Sequence, residues 1–234
     1  MGWPRFMAIG VSLQLGFPQV RRAALALLLA VWVALPLVLA DNTGLKPEIL
    51  EWVNSKYGPL ARERVTEWQS FIARHQDKDE QSKLELVNDF FNQITYGSDL
   101  DIWGQEDYWA TPLEMLSIGG ADCEDYSIAK YFTLRELGVS GDKMRIMYVR
   151  AQGWDVPHMV LTYYPKANAE PMILDNLVTK IKSATQRRDL TPVYSFNAEG
   201  LWLAKERGRG QRVGSSGRIS LWRDLTAKMA REGK

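Results

Sequence analysis

Three residues have the types needed for nucleophilic catalysis: the single cysteine Cys123, His158 and Asp175. A thiol becomes a nucleophile when a neighbouring base takes its proton and a third group orients that base. Cys123 opens a predicted helix, whose N-terminal partial positive charge stabilises a thiolate and whose N–H groups can bind an oxyanion. His158 begins one predicted strand and Asp175 lies on the next, so antiparallel pairing would place both at one end of a sheet. The pattern predicts a Cys-His-Asp site for acyl transfer.

Each of these residues also has an interpretation without chemistry. A lone buried cysteine is usually inert packing, a histidine at a strand end can be satisfied by a local hydrogen bond, and Asp175 can cap a turn. Cys123 stands among glycines and acids rather than on an apolar stripe, which favours the reactive interpretation. The only other histidine, His75, ends a polar helix and is predicted to be solvated.

Acidic residues surround the cysteine in the segment GGADCEDYSIAKYF: Asp122, Glu124 and Asp125. Negative neighbours oppose ionisation of a thiol, whereas a reactive cysteine normally has a positive setting. Carboxylates at this spacing are hard oxygen ligands suited to Ca²⁺, although no EF-hand loop is present, and a bound cation would offset the negative field. The alternative is that the helix N-terminus alone stabilises these acids. The spacing leaves both interpretations open.

The elements that must position these residues follow from hydrophobic periodicity. Helices are predicted over residues 47–58, 59–75, 80–97, 112–116 and 122–137, with a closing amphipathic helix over 220–234. Between them the period changes to two, which predicts strands over 143–151, 158–165 and 171–177 and two short ones in YSFN and GLWLA. Helices followed by an antiparallel sheet define an α+β fold.

Residues 1–40 have the composition of an export signal. They contain no acidic residue, and the apolar run after Arg22 ends in small side chains at Val38 and Ala40. We therefore predict a signal peptide over 1–40, cleaved after Ala40, and a single domain over 41–234. Retention of the run as a membrane anchor is the alternative, since its length is near the ~20 residues that span a bilayer.

The charge balance limits the class of partner. Three of the 29 basic residues lie in residues 1–40, which leaves 26 basic and 28 acidic residues in the predicted domain. This balance argues against nucleic acid, because nucleic-acid binding needs a basic footprint. The stretch from Lys205 onward is locally basic, which indicates either a solvated surface or a contact with an acidic partner or a membrane. One cysteine cannot form an internal disulfide. In an exported chain this thiol is therefore reactive, paired with another molecule, or buried and inert.

Several segments resemble the bacterial transglutaminase-like cysteine proteinases, and among them the LapG-type periplasmic proteases: DIWGQEDYWATPLEML, GGADCEDYSIAKYFTLRELGV, HMVLTYYP, EPMILDNL and LTPVYSFNAEGLWLA. The resemblance covers about residues 87–225, and DCEDYSIAKYF with HMVL and LDN is its most specific part. It implies a papain-like, transglutaminase-like core with Cys123, His158 and Asp175 as the catalytic triad. It also implies Ca²⁺ as cofactor, with ligands at Asp122, Glu124 and Asp125.

The resemblance also implies a substrate and a partner. We expect a periplasmic endopeptidase that cleaves the N-terminal region of a large surface adhesin at a di-alanine site, releasing the adhesin and dispersing biofilm. An inner-membrane receptor that senses cyclic di-GMP would sequester the protease. Because a triad alone does not define its substrate, two alternatives stay open. One is another acyl-transfer enzyme, a transglutaminase or a peptidoglycan amidase or endopeptidase; the other is a non-catalytic binding module.

Overall fold

Helices come first along the chain and a sheet follows, as the change of period predicts. The computed structural model describes residues 45–153, 156–204 and 210–232. Within these ranges no helix is both long and apolar enough to cross a bilayer. The predicted signal peptide over 1–40 lies outside the described residues, so its cleavage and the domain boundary at residue 41 stay predictions.

Six of the seven described helices correspond to predicted ones; the short helix Asp99–Trp103 was not predicted, and the third helix ends earlier than predicted. They are α1 (Pro47–Tyr57), α2 (Pro59–His75), α3 (Glu80–Phe91), α4 (Asp99–Trp103), α5 (Pro112–Ile118), α6 (Cys123–Glu136) and α7 (Ser220–Glu232). The prediction that the third helix continues to residue 97 is wrong. Thr95–Tyr96 instead form a short strand, β1, which pairs in parallel with β2 (Gly120–Ala121) directly before the cysteine helix. Pairing with β2 takes up backbone groups that a longer helix would have used internally.

Seven strands of the described residues form the main sheet, and each pairs antiparallel with its neighbours. They are β3 (Met144–Ala151), β4 (Pro157–Tyr163), β5 (Met172–Leu174), β6 (Lys182–Ser183), β7 (Leu190–Phe196), β8 (Leu201–Leu203) and β9 (Gln211–Gly214), and their order is β6-β5-β4-β3-β7-β8-β9. The strand predicted over 171–177 ends at Leu174, so Asp175 follows the strand instead of lying on it. The two edge strands β6 and β9 were not predicted, because they are short and polar.

Helix α6 is the centre of the fold. It packs against β3 and β4 on one side and against α3 and α5 on others. Tyr131, Ile128 and Leu134 are fully buried on it, and so are the charged residues Asp125 and Lys130. A helix buried on nearly all sides is fixed in position by its packing. The packing of α6 therefore also fixes Cys123 in its first turn.

The approach to α6 is anchored at both ends of α5. At its start, Thr111 and Glu114 form a reciprocal capping box. At its end, Gly119 adopts a left-handed conformation with φ of 78°. Arg64 from α2 donates to the carbonyl oxygens of Leu116 and Ser117 at 2.6 and 2.7 Å, which satisfies orphan acceptors of the last turn. The chain therefore enters β2, and then Cys123, from a fixed point.

We expect Gly119→Ala to destabilise the protein more than Gly138→Ala. Both glycines have positive φ, 78° and 85°, which costs an L-residue about 1–2 kcal/mol. A Cβ at residue 119 would also lie 3.0 Å from Cζ of Arg64, whereas at residue 138 no heavy atom of the described chain lies within 4 Å. Urea unfolding of both variants measures the two losses. Equal losses would show that Arg64 adjusts without cost.

Candidate active site

The sheet brings His158 and Asp175 into direct contact. Strands β4 and β5 pair antiparallel with Leu161 opposite Leu174, so the start of β4 and the end of β5 share one edge. His158 Nε2 lies 2.8 Å from Asp175 Oδ1, and both side chains are buried. An ionised carboxylate only accepts hydrogen bonds, so Nε2 carries the proton in this contact. Nδ1 of the neutral imidazole is then free to act as a base.

The carboxylate of Asp175 is held at both oxygens. Oδ1 also accepts the backbone N–H of Leu177 at 3.0 Å, and Oδ2 accepts Nη1 of Arg187 at 2.7 Å. Burial raises the pKa of Asp175, but the contacts with His158, Leu177 and Arg187 outweigh burial and lower the pKa to about 2. Asp175 is therefore ionised at any pH at which a histidine can act as a base.

The main chain of Asp175 is tied to the helix that carries the cysteine. Lys130, seven residues after Cys123 on α6, is fully buried, and its Nζ donates to the carbonyl oxygen of Asp175 at 3.1 Å. The same ammonium donates to Oδ1 of Asn88 at 2.9 Å and Oδ1 of Asn92 at 2.8 Å, both on or next to α3. Burial lowers the pKa of Lys130 to about 7. Lys130 was not predicted as part of the site, although a lysine among the apolar residues of SIAKYF was a usable signal.

Cys123 occupies the first turn of α6 and is half-buried. Its thiol donates to Glu124 Oε2 at 3.1 Å. Burial raises the pKa of Cys123, the charges of Glu124 and Asp122 raise it further, and a hydrogen bond from the backbone N–H of Met159 opposes the rise. Met159 follows His158 on β4, so the sulfur lies beside the strand that carries the histidine. The thiol therefore lies against the strand that carries His158, in a strongly negative setting.

The acids beside the cysteine belong to a larger acid cluster: Asp99, Asp107, Asp122, Glu124 and Asp125. One carboxylate oxygen each from Asp99, Asp122 and Asp125 lies within 4.8 Å of the others, and the same holds for Asp99, Asp107 and Glu124. The structure thus divides the three predicted ligands between two overlapping groups that share Asp99. Neither Asp99 nor Asp107 was predicted, although the acids of SDLDIWGQED were the available signal.

The acid cluster fits a hard cation. Three of its buried oxygens have no hydrogen-bond partner among the described residues: Asp99 Oδ1, Asp122 Oδ1 and Asp125 Oδ2. Burial, followed by the neighbouring acids, raises the pKa of Asp99 to about 6 and that of Asp122 to about 10. Burial also places the pKa of Asp125 well above its ordinary value. Unpaired buried carboxylates are costly, and oxygen-only sets of this kind are what a divalent cation such as Ca²⁺ binds.

The sheet holds a buried His-Asp pair, and the thiol at the start of α6 accepts the backbone N–H of Met159 next to that histidine; these groups are suited to nucleophilic catalysis. The family model described as bacterial transglutaminase-like cysteine proteinase matches residues 60–191, more than half of the chain. The chain belongs to this family, and the predicted α+β, transglutaminase-like fold is confirmed.

Solved structures of LapG from Legionella pneumophila are similar to the chain. The EGTA-treated form is 44% identical with a TM-score of 0.70, and the alignment covers 78% of this chain and 96% of that one. The calcium-bound form is 45% identical with a TM-score of 0.67, and the alignment covers 78% of this chain and 97% of that one. A comparison with curated protein sequences finds no match. The chain is therefore a LapG-type cysteine protease.

We expect the wild-type protein to gain stability relative to Lys130→Met as the pH rises above about 7. Burial lowers the pKa of Lys130 to about 7 in the folded state, whereas the unfolded chain keeps a value near 10.5. Between these values the unfolded chain holds a proton that the folded chain has lost. The free energy of unfolding therefore rises with pH, by up to about 1.4 kcal/mol per pH unit.

Urea unfolding at several pH values between about 7 and 9 measures this difference. Lys78→Met, at an exposed position, is the matched control and should leave the pH dependence of wild type unchanged. A stability difference between wild type and Lys130→Met that stays constant over the range would contradict a lowered pKa of Lys130.

Proposed function

We propose that the protein is a calcium-dependent periplasmic cysteine endopeptidase that cleaves the N-terminal region of a large surface adhesin at a di-alanine site. The observation that carries the proposal is the buried hydrogen bond of 2.8 Å between His158 and Asp175, beside the lone thiol of a cysteine-proteinase family member. The 44% identity to LapG over 96% of that chain supports the narrower assignment to adhesin cleavage.

Cys123, His158 and Asp175 act as the triad. The thiolate of Cys123 attacks the scissile carbonyl carbon, and the Cys123 backbone N–H at the start of α6 stabilises the oxyanion. Protonated His158 gives its proton to the leaving amine as the C–N bond breaks. Water then hydrolyses the thioester, releases the carboxylate product and restores the thiol. Asp175 accepts from Nε2 throughout, so it orients the ring and stabilises the imidazolium.

Calcium bound at the acid cluster is the second part of the proposal. A thiolate about 4 Å from a carboxylate is repelled by about 4 kcal/mol at an effective dielectric constant near 20. A helix N-terminus returns only about 0.3–1 kcal/mol, so α6 alone does not offset the charge of Glu124. A divalent cation on the cluster supplies the missing positive charge. The sequence left open whether the acids bind Ca²⁺ or are stabilised by the helix N-terminus alone. The difference between these two energies favours metal binding, and so do the three carboxylate oxygens without a hydrogen-bond partner among the described residues.

Asp122, Glu124 and Asp125 are ligands in this proposal, and Asp99 completes both overlapping groups. The carboxylate of Asp99 already accepts the backbone N–H of Tyr108 at 2.6 Å through Oδ2, and Asp125 accepts that of Ala110 at 2.7 Å through Oδ1. These contacts leave the other oxygen of each carboxylate free to bind the ion. Both carboxylates are oriented before the ion arrives.

Location and control follow from the signal peptide predicted over residues 1–40 and from the similarity to LapG. Export places the protease in the periplasm, where release of the adhesin detaches the cell from biofilm. An inner-membrane receptor that senses cyclic di-GMP in the cytoplasm sequesters the protease. The near-neutral balance of 26 basic and 28 acidic residues in 41–234 is consistent with a protein partner and not with nucleic acid.

We expect Cys123→Ala and His158→Ala to abolish cleavage of an adhesin N-terminal fragment that contains an Ala-Ala sequence. Both variants lack a group that takes part in the acyl transfer, and both should fold. His75→Ala replaces the other of the two histidines and should retain wild-type activity. Gel analysis of the fragment measures cleavage. Full activity of Cys123→Ala would contradict the proposed mechanism, in which Cys123 is the nucleophile.

The same preparation separates the alternative enzymes. Incorporation of a labelled amine into a glutamine-containing protein would indicate a transglutaminase, and release of muropeptides would indicate a peptidoglycan enzyme. Failure of a thiol probe to label Cys123 in the folded protein would favour a binding module. Adhesin cleavage without amine transfer is the result that the proposal predicts.

We expect Ca²⁺ to raise the melting temperature and EGTA to abolish cleavage. An ion at a hundred times its Kd stabilises the folded state by about 2.7 kcal/mol. Asp99→Asn should lose most of this gain, because Asp99 belongs to both overlapping groups. Asp77→Asn, at an exposed turn, should keep it. Cleavage that continues in EGTA at the rate seen in Ca²⁺ would show that the metal is not required for the reaction.

A further inference from the structure

We propose that Arg187 is a positioning residue for the reaction: it fixes the carboxylate of Asp175 so that Oδ1 stays directed at His158. The inference rests on the proposed function, because it assigns a role within the same site. Arg187 lies outside the motifs that resemble the family, and its part in the site becomes visible only in the folded chain.

The contact between Arg187 and Asp175 is a buried ion pair. Arg187 Nη1 lies 2.7 Å from Asp175 Oδ2, and the two side chains are 4% and 0% exposed. Oδ1 thereby stays with His158 Nε2 at 2.8 Å and the backbone N–H of Leu177 at 3.0 Å. A carboxylate gripped at one oxygen can rotate about its last torsion, but one gripped at both oxygens cannot. Arg187 therefore removes a rotation that would misdirect the acceptor of the histidine.

Arg187 is itself held by Asp189. Nε lies 3.0 Å from Oδ1 and Nη2 lies 2.8 Å from Oδ2 of Asp189, which is the two-pronged geometry that arginine forms with carboxylates. The carbonyl oxygen of Asp189 accepts the backbone N–H of Gln152 at 2.7 Å. Gln152 follows β3 in the connection that leads to His158 on β4. The segment from 187 to 189 thus links Asp175 to the hairpin that carries its partner.

Arg187 acts from the face of the sheet that points away from α6. Its neighbours there include Met147, Val149 and Ile173, which form a separate apolar cluster from the one packed on α6. Arg187 contacts the site through Asp175, so we assign it a positioning role exerted through that carboxylate. An apolar setting also leaves the ion pair poorly screened, which strengthens its hold.

Asp189 keeps Arg187 from neutralising the site. Two carboxylates and one guanidinium carry one net negative charge, so Asp175 can still balance the imidazolium of His158. With Arg187 alone, Asp175 would belong to a neutral pair and would stabilise the imidazolium less. Arg187 and Asp189 together therefore set the orientation of the Asp175 carboxylate and the net charge around it.

Steady-state kinetics of the calcium-loaded protein on an adhesin fragment containing Ala-Ala test the inference. Arg187→Met should lower kcat by roughly 10- to 100-fold and leave KM within about twofold, because misorientation affects the chemical step and not binding. Arg187→Lys should recover part of kcat, since it restores the charge without the two-pronged contact. Arg188→Met, at the exposed neighbouring arginine, should match wild type in both constants.

A second readout needs no substrate. The chain has two histidines, so ¹⁵N NMR of labelled protein resolves His158. Wild type should show a single tautomer protonated at Nε2, and Arg187→Met should show a mixture of tautomers. If Arg187→Met does not fold, Arg187→Lys carries both readouts and should show the smaller change.

The two readouts separate the inference from the proposed function. A wild-type protein that leaves the fragment intact while Arg187→Met still changes the His158 tautomer would refute adhesin cleavage and support the positioning role. Wild-type kcat together with an unchanged His158 signal in a folded Arg187 variant would overturn the positioning role, whatever the substrate.

Discussion

Negative charge buried next to a thiol is the constraint on which this structure depends. Glu124 lies in hydrogen-bond contact with Cys123, and Asp122 and Asp125 flank them with buried oxygens that lack hydrogen-bond partners in the described part of the chain. Such an arrangement opposes both folding and thiolate formation unless positive charge is supplied. The helix N-terminus by itself does not offset the repulsion between these carboxylates and a thiolate. We therefore interpret the acids as ligands that couple ionisation of the thiol to binding of a cation. The feature that first argues against a reactive cysteine then becomes a control on it.

The rest of the fold holds the partners of the cysteine at fixed places around α6. The start of the helix carries the thiol, and two turns later Lys130 grips the main chain of Asp175. The sheet supplies His158 from β4, which pairs with the strand that ends just before Asp175. Arg187 approaches from the face of the sheet that points away from α6. A shift of α6 would therefore move the nucleophile and the aspartate together. This shared support explains why a charged lysine is found in the middle of a helix that is otherwise central to the core.

Local signals made much of the fold predictable. Proline at the start and glycine after the end bounded α1, and the Thr111–Pro112 pair marked the start of α5. Residue types and spacing singled out Cys123, His158 and Asp175 before the contact between His158 and Asp175 was known, and the family resemblance pointed to the same three residues. By contrast, the end of α3 at Phe91 depends on pairing between β1 and β2, which joins segments more than twenty residues apart. Hydrophobic period carries no information about such pairing.

The parts of the site that were missed share one cause. Asp99, Lys130 and Arg187 lie 24, 7 and 64 residues from Cys123 along the chain, and each acts through side-chain contacts that cross between elements. Their importance appears as burial of charge, which a single sequence does not show. The sequence pointed to the candidate reacting groups, and the structure was needed to find the charged side chains that contact or surround them.

The alkylation rate of Cys123 tests most directly whether a cation at the acid cluster activates the thiol. The chain has one cysteine, so mass spectrometry of iodoacetamide-treated protein follows that residue alone. Near neutral pH we expect alkylation at least about tenfold faster in Ca²⁺ than in EGTA, since one pKa unit changes the thiolate fraction about tenfold. Equal rates, or a slower rate in Ca²⁺, in a protein whose melting temperature still rises with the ion would contradict it.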